Sequence, residues 1–325
     1  NIESTFRVRD PFPPTIQQST LAVNNDYVDL SFSELVYGNN DGSGVVSTAD
    51  FMLTLNQNDG NVSTVTISSL TDTSGNQLSG GDDLIRLHLS MDGSASGVEI
   101  IEINPADANS VFDMAGNALQ LSPTPITITL NDELIPTVDT LSIANSTTIN
   151  LNAENSIGFT FSEPLSFIEY SVKARQYSNM TFTADTTNTV LTINLTPPLK
   201  ALDTIDIDLL EIIDNAGHST VNLYYEYYTP ALGDYDWNDT IDVNDLTDFI
   251  RGWKTQDYAY ELGPVKGKIP HYLPDFDSEF GLDDGMVFIQ MWGWAQSNFG
   301  FGVMNKPSIG EQPNWLEKSV IIPNG

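Results

Sequence analysis

Apolar and polar residues alternate in short runs over the first two thirds of the chain, and a helical period replaces them only after residue 240. Between residues 15 and 130 the alternation predicts strands at 21–23, 28–32, 51–55, 62–67, 84–89, 98–103 and 126–130. Asn-Asn, Asp-Gly, Ser-Gly and Gly-Gly pairs separate them, and such pairs supply the backbone turns that bulkier residues resist. Seven short strands with no helical period between them predict an antiparallel sandwich.

The pattern then starts again. Asp132, Pro136, Thr137 and Val138 repeat the spacing of Asp10, Pro14, Thr15 and Ile16. Phe161-Ser162-Glu163 repeats Phe32-Ser33-Glu34, and Asp214 to His218 echoes Asp113 to Asn117. These marks predict two tandem copies of one sandwich, residues 10–131 and 132–230, joined by Pro-stiffened connectors. The connector, the Phe-Ser-Glu strand and the Asp-x-Ala-Gly turn resemble the bacterial Ig-like domains of secreted and surface proteins, and imply an Ig-like β-sandwich in each copy. Glu34 and Glu163 close their strands near Asp-rich connectors. A junction metal would draw on Asp10, Glu34 and Asp113 in the first copy, and on Asp132, Glu163 and Asp214 in the second; the alternative is that these carboxylates cap backbone amides. Residues 1–9 alternate too, with Phe6 and Val8 set against Thr5, Arg7 and Arg9. They hold the place before the first connector that 126–130 hold before the second. A lone strand of this kind seeks a sheet edge. It either closes a domain upstream or is donated to a neighbouring copy.

From Leu246 the apolar positions (Phe249, Ile250, Trp253) fall at helical spacing. Oxygen-bearing residues precede them at alternate positions: Asp234, Asp236, Asn238, Thr240 through its carbonyl, Asp242 and finally Asp245. That is the ligand spacing of a 12-residue calcium loop. A similar text begins 41 residues on, with Asp275, Asp277, Glu279, Gly281 and Asp283. In that alignment Met286 takes the last position, so the terminal carboxylate is missing and this loop is the weaker. Phe288, Met291, Trp292 and Ala295 then continue a second helix. Two such loop-helix units, about residues 231–300, resemble a dockerin module, the calcium-binding half of the cohesin–dockerin pair. The resemblance implies two packed helices, bound Ca²⁺ and a cohesin as partner. It also implies recognition through loop positions 10 and 11, here Val243-Asn244 and Asp284-Gly285, an unlike pair that argues against docking in two orientations. Residues 301–325 read as an extended tail with a strand candidate at 320–322. The fold expected is mainly β: two Ig-like sandwiches plus a small α-helical dockerin/EF-hand-like module.

Composition narrows the function. Twelve basic and 44 acidic residues give a net charge of −32, which disfavours nucleic acid and anionic membranes and favours divalent cations. No apolar run approaches the ~18 residues of a membrane span. Cysteine is absent, and the three histidines (His88, His218 and His271) fit neither a zinc motif nor a Ser-His-Asp triad. No text selects a catalytic residue, so no enzyme is expected. The tyrosines of residues 224–228 suggest either an outer strand or a sugar-binding platform. The reading is a calcium-stabilised extracellular or cell-surface structural or adhesive protein, self-associating into a filament or tube by strand addition. The alternatives are a dockerin-bearing component of a polysaccharide-degrading complex and a carbohydrate-binding module.

Overall fold

The computed structural model describes residues 10–120, 126–150, 156–176, 183–187, 189–195, 199–300, 302 and 304, and the backbone of 316–321. Phe6 and Val8 lie outside the described residues. The chain divides into two compact units, Asn1–Leu134 and Ile135–Gly325.

In the first unit, β1 (Ile16–Leu21), β2 (Tyr27–Val36), β4 (Val65–Thr71) and β5 (Asp82–Met91) form an antiparallel sheet in the order β1-β2-β5-β4. The second sheet, β3-β6-β7, comprises β3 (Phe51–Asn56), β6 (Ile100–Pro105) and β7 (Ile126–Thr129). Four strands facing three in this order is the constant-type immunoglobulin topology. The core follows from strand alternation: Val28, Leu30 and Phe32 of β2 meet Ile85, Leu87, Ile101 and Ile103. The first strand begins at Ile16 rather than at residue 21. Its exposed Gln17-Gln18 pair hides the alternation of an edge strand with one packed face.

The second unit repeats the plan. β8 (Val138–Leu141), β9 (Ser156–Phe161), β11 (Thr183–Thr187) and β12 (Val190–Asn194) pair as β11-β12-β9-β8. β10 (Leu165–Ala174), β13 (Thr204–Asp214) and β14 (Ser219–Tyr228) form the opposing sheet, β14-β13-β10. The echoed motifs make the same bonds in both copies. Ser33 Oγ accepts from Thr15 N and Ser162 Oγ from Thr137 N, both at 3.0 Å. Asp113 accepts from Asn117 N at 2.8 Å and Asp214 from His218 N at 2.9 Å, each closing the turn between the last two strands. The second copy is shorter because Ser162–Pro164 alone joins β9 to β10, where residues 37–50 separate β2 from β3.

After β14 come α1 (Val243–Thr255), a hairpin of β15 (Val265–Lys268) with β16 (His271–Pro274), and α2 (Leu282–Phe299). Their core of Ile241, Phe249, Leu262, Val287, Phe288, Met291 and Ala295 also takes in Ala201, from the connection between β12 and β13. Ala201 N donates to Tyr272 O at 2.8 Å, so the helical module is seated on the second sandwich. The strand candidate of the tail is present, but it begins earlier than 320 and joins a sheet. Residues 316–321 form β17 (Leu316–Ile321), antiparallel to the outer edge of β10, with Phe167 opposite Ile321 and Val172 opposite Leu316. The sheet becomes β14-β13-β10-β17. Among the described residues, no helix is long and apolar enough to cross a membrane.

Candidate metal centre

The first loop winds as its sequence requires. Asp239 takes the left-handed conformation (φ 60°), which Asp tolerates, at the position where such loops usually carry Gly. Asp234 Oδ1 and Oδ2 accept from Asn238 N and Asp239 N at 3.2 and 3.1 Å. Asn238 Oδ1 accepts from Thr240 N at 2.8 Å. Asp245 is fully buried; its two oxygens accept from Tyr235 N and Asp242 N, both at 2.8 Å. Asp242 caps α1 through Asn244 N at 2.7 Å.

Asp234, Asp236 and Asp245 each offer an oxygen within 4.8 Å of the others. Burial first, then the charges of Asp245 and Asp236, push Asp234 up to about 7. Burial also raises Asp245. Like charges held this close in a desolvated site repel one another until a cation joins them. The donors are hard oxygens, so the residues present fit Ca²⁺. Asp242 is not part of the converging set. Its position in such loops commonly reaches the ion through water.

The second loop is built in a register the sequence concealed. Asp284, not Met286, is the counterpart of Asp245. It is fully buried, and its oxygens accept from Gly281 N at 2.7 Å and from Leu262 N and Gly263 N at 2.9 Å. Glu261 takes the role of Asp234. It is 2% exposed and accepts from Asp277 N and Ser278 N, as Asp234 does from Asn238 N and Asp239 N. Ser278, like Asp239, has positive φ, at 63°. Asp277 Oδ1 accepts from Glu279 N at 3.0 Å, as Asn238 does from Thr240 N. The second loop therefore starts at Glu261-Leu262 and resumes at Asp275, with residues 263–274, including the β15–β16 hairpin, inserted between. From Asp236/Asp275 onward the offset is 39 residues, not 41. Asp283 is then the counterpart of Asn244, in the first turn of α2, and Gly281 stands where Asp242 stands. Asp275 is largely exposed and pairs with Lys266 Nζ at 3.1 Å. Burial raises the Glu261 carboxyl.

The helices confirm the register. Phe249 stacks on its counterpart Phe288, with centroids 5.1 Å apart and planes 17° from parallel. Phe249–Trp253 and Phe288–Trp292 are edge-on pairs with the same centroid separation of 5.7 Å. Phe249, Val287 and Met291 are buried as helical spacing leads one to expect, whereas Ile250 is 42% exposed and its counterpart Ile289 70% exposed. Between the loops lies a cleft of about 200 Å³ lined by Asp234, Trp237, Tyr260, Glu261 and Phe276 among others.

Of the junction candidates, the two turn aspartates are held within their own turns. Asp113 is occupied by Asn117, and Asp214 by Gly217, His218 and the His218 ring. Glu34 is raised by burial, then by Asp113 and Asp10. Asp10 accepts from Phe12 N and Asp132 from Leu134 N, both at 3.0 Å; Glu163 is partly buried. In β14, Tyr227 is buried and Tyr225 packs against the core. Tyr224 donates to Asp206 at 2.7 Å and Tyr228 to Glu226, so the hydroxyls on the other face are tied into an acidic network with Arg175.

No family model matches the chain, and no curated protein matches it in sequence. Among solved structures it is similar to the N-terminal part of the bacterial S-layer protein SbsC, at 12% identity and TM-score 0.25, over 66% of this chain and 44% of that one. It is also similar to titin domains A168–A169, at 8% identity and TM-score 0.31, over 67% of this chain and 98% of that one. A third similarity is to titin A168–A170, at 8% identity and TM-score 0.25, over 67% and 66%. The strand order of each unit carries the fold assignment.

Proposed function

We propose that the protein is an extracellular, calcium-stabilised structural protein in which tandem Ig-like sandwiches carry a helical module locked by metal. The observation that carries this reading is the repeated frame of the two loops. Asp234 and Asp245 in one, and Glu261 and Asp284 in the other, are buried carboxylates that organise the same backbone amides. Ca²⁺ in the first loop would be held by Asp234, Asp236, Asn238, the Thr240 carbonyl and Asp245, with Asp242 through water. In the second, Glu261, Asp275, Asp277, the Glu279 carbonyl and Asp284 hold the corresponding positions, and Asp275 must leave Lys266 to join. The ion supplies charge neutralisation, and the chain supplies a wound loop that places the donors. Differential scanning calorimetry of the full chain with calcium and with chelator tests the reading: the module melts higher with calcium.

A second reading, docking to a cohesin-like partner, is favoured by the corrected register. Positions 10 and 11 are now Val243-Asn244 and Leu282-Asp283, a like pair. Val243 is 63% exposed and Leu282 78%. With Ile250 and Ile289 they put matching apolar side chains on both helices. A pull-down on immobilised cohesins tests it: retention lost only when both Val243→Asp and Leu282→Asp are present supports docking in two orientations.

A further inference from the structure

The two Ig-like units treat the same sheet edge differently. In the second, the third strand, β10, is covered on its outer edge by β17 over six residue pairs. In the first, the corresponding strand β3 pairs only with β6, and among the described residues no strand is hydrogen-bonded to its other edge. Ala106 N bonds Asp50 O at 2.9 Å, which sets the ladder phase. Alternation then turns the backbone groups of Leu53 and Leu55 away from β6, toward that open edge. An open edge is a template for another strand.

We propose that the open edge of β3 receives residues 4–9 of a second copy of this chain, added antiparallel as β17 is added to β10. This rests on the structural reading above and names the surface through which copies join. Two further observations select the occupant. Residues 1–9 hold one Glu and two Arg, whereas Arg86 is the single basic side chain of residues 10–134 among their many Asp and Glu. The segment is thus cationic where the accepting unit is strongly acidic, and such complementarity steers association. The second observation is position. Asn131 Nδ2 bonds Ala22 O at 2.9 Å, so the C-terminal end of β1 sits beside that of β7. The strand order then puts β3 on the far side of the sandwich from β1. To lie along β3 of its own chain, the segment must first cross roughly 15–20 Å of sandwich end, at about 4.8 Å per strand and 10 Å per sheet. That uses about five residues at ~3.4 Å each, most of the alternating run 4–9. A second copy donates the whole alternating run. Donor and acceptor are different surfaces, so the contact is head-to-tail and grows into filaments wherever its rotation does not close a ring.

The chain has no cysteine, so single thiols can be placed cleanly. Full-length chain carrying Arg7→Cys is mixed with full-length chain carrying Met52→Cys or Thr54→Cys, both exposed positions of β3. Thr127→Cys, exposed on β7 at the opposite edge of the same sheet, is the control. After mild oxidation, disulfide-linked heterodimer is expected at several-fold higher yield with position 52 or 54 than with 127, and the yield falls at high salt. Equal yields at all three positions, or no heterodimer, overturn the proposal. An intrachain disulfide forming in dilute Arg7→Cys/Thr54→Cys chain also overturns it, because the segment then folds back on its own unit. Calcium-dependent melting of the same samples is read separately. Normal melting with no heterodimer rejects strand addition alone; heterodimer without calcium-dependent melting rejects the metal reading alone.

Discussion

Asp203 and Glu261 show how differently a buried carboxylate can be held. Glu261 accepts from two backbone amides of a loop that resumes 14 residues later. Glu261→Ala strands those donors, and a loss of about 2–3 kcal/mol is expected in chemical denaturation with chelator present. Asp283→Ala, in the first turn of α2, should stay within about 0.5 kcal/mol. Equal costs for the two would contradict the 39-residue register. Asp203 is fully buried and its Oδ2 has no hydrogen-bond partner among the described residues. Burial pushes its carboxyl up to about 6, against roughly 3.9 for an unfolded Asp. Between those values the native state binds the proton more tightly than the unfolded state, so this group's contribution to stability falls as pH rises from about 4 to about 6. Asp203→Asn should flatten that fall by on the order of 2–3 kcal/mol, read from denaturation midpoints at pH 4 and pH 7. A variant that keeps the wild-type slope would remove Asp203 as its origin.

Among the elements, the helices depend on one aromatic stack. Phe249 and Phe288 are counterparts and pack on each other, so Phe249→Ala and Phe288→Ala should each cost about 3–5 kcal/mol, with the double variant costing less than the sum. Strict additivity in a double-mutant cycle would contradict the shared stack. This level also shows what the sequence discloses. Strand alternation and the paired echoes, Phe32-Ser33-Glu34 with Phe161-Ser162-Glu163, are enough to read two sandwiches, because each echo makes the same local bonds. The second loop is legible only in part. Its first carboxylate, Glu261, is separated from the rest by residues 263–274, and a spacing rule cannot bridge an insertion. The recurring Gly-Trp pairs at 252–253 and 293–294 favour an offset of 41, whereas the packed equivalents are Trp253 and Trp292. The signal that identifies the true register is the Leu-Asp-Asp run at 282–284, matching Val-Asn-Asp at 243–245. The tail strand β17 shows locally as the candidate at 320–322, but its partner does not: β10 lies some 150 residues earlier, and pairing over that distance leaves no local trace.

For the whole molecule, the proposed function makes calcium a condition of order in the helical module rather than an ornament on it. The two loops concentrate buried carboxylates, in a chain whose net charge is −32, and on this proposal a bound cation removes the repulsion. A ligand that binds only the folded state at ~1,000 times its dissociation constant stabilises it by about 4 kcal/mol. The two sandwiches bind no metal in this scheme and should melt independently of calcium, apart from the β10 edge that β17 covers. The most direct measurement is isothermal titration calorimetry of chelator-treated full-length protein with Ca²⁺, repeated on Asp245→Ala and Asp284→Ala variants. Two binding events are expected in the parent chain, one lost in each variant. A parent chain that takes up no calcium, or variants that bind as the parent does, would contradict a calcium-locked module.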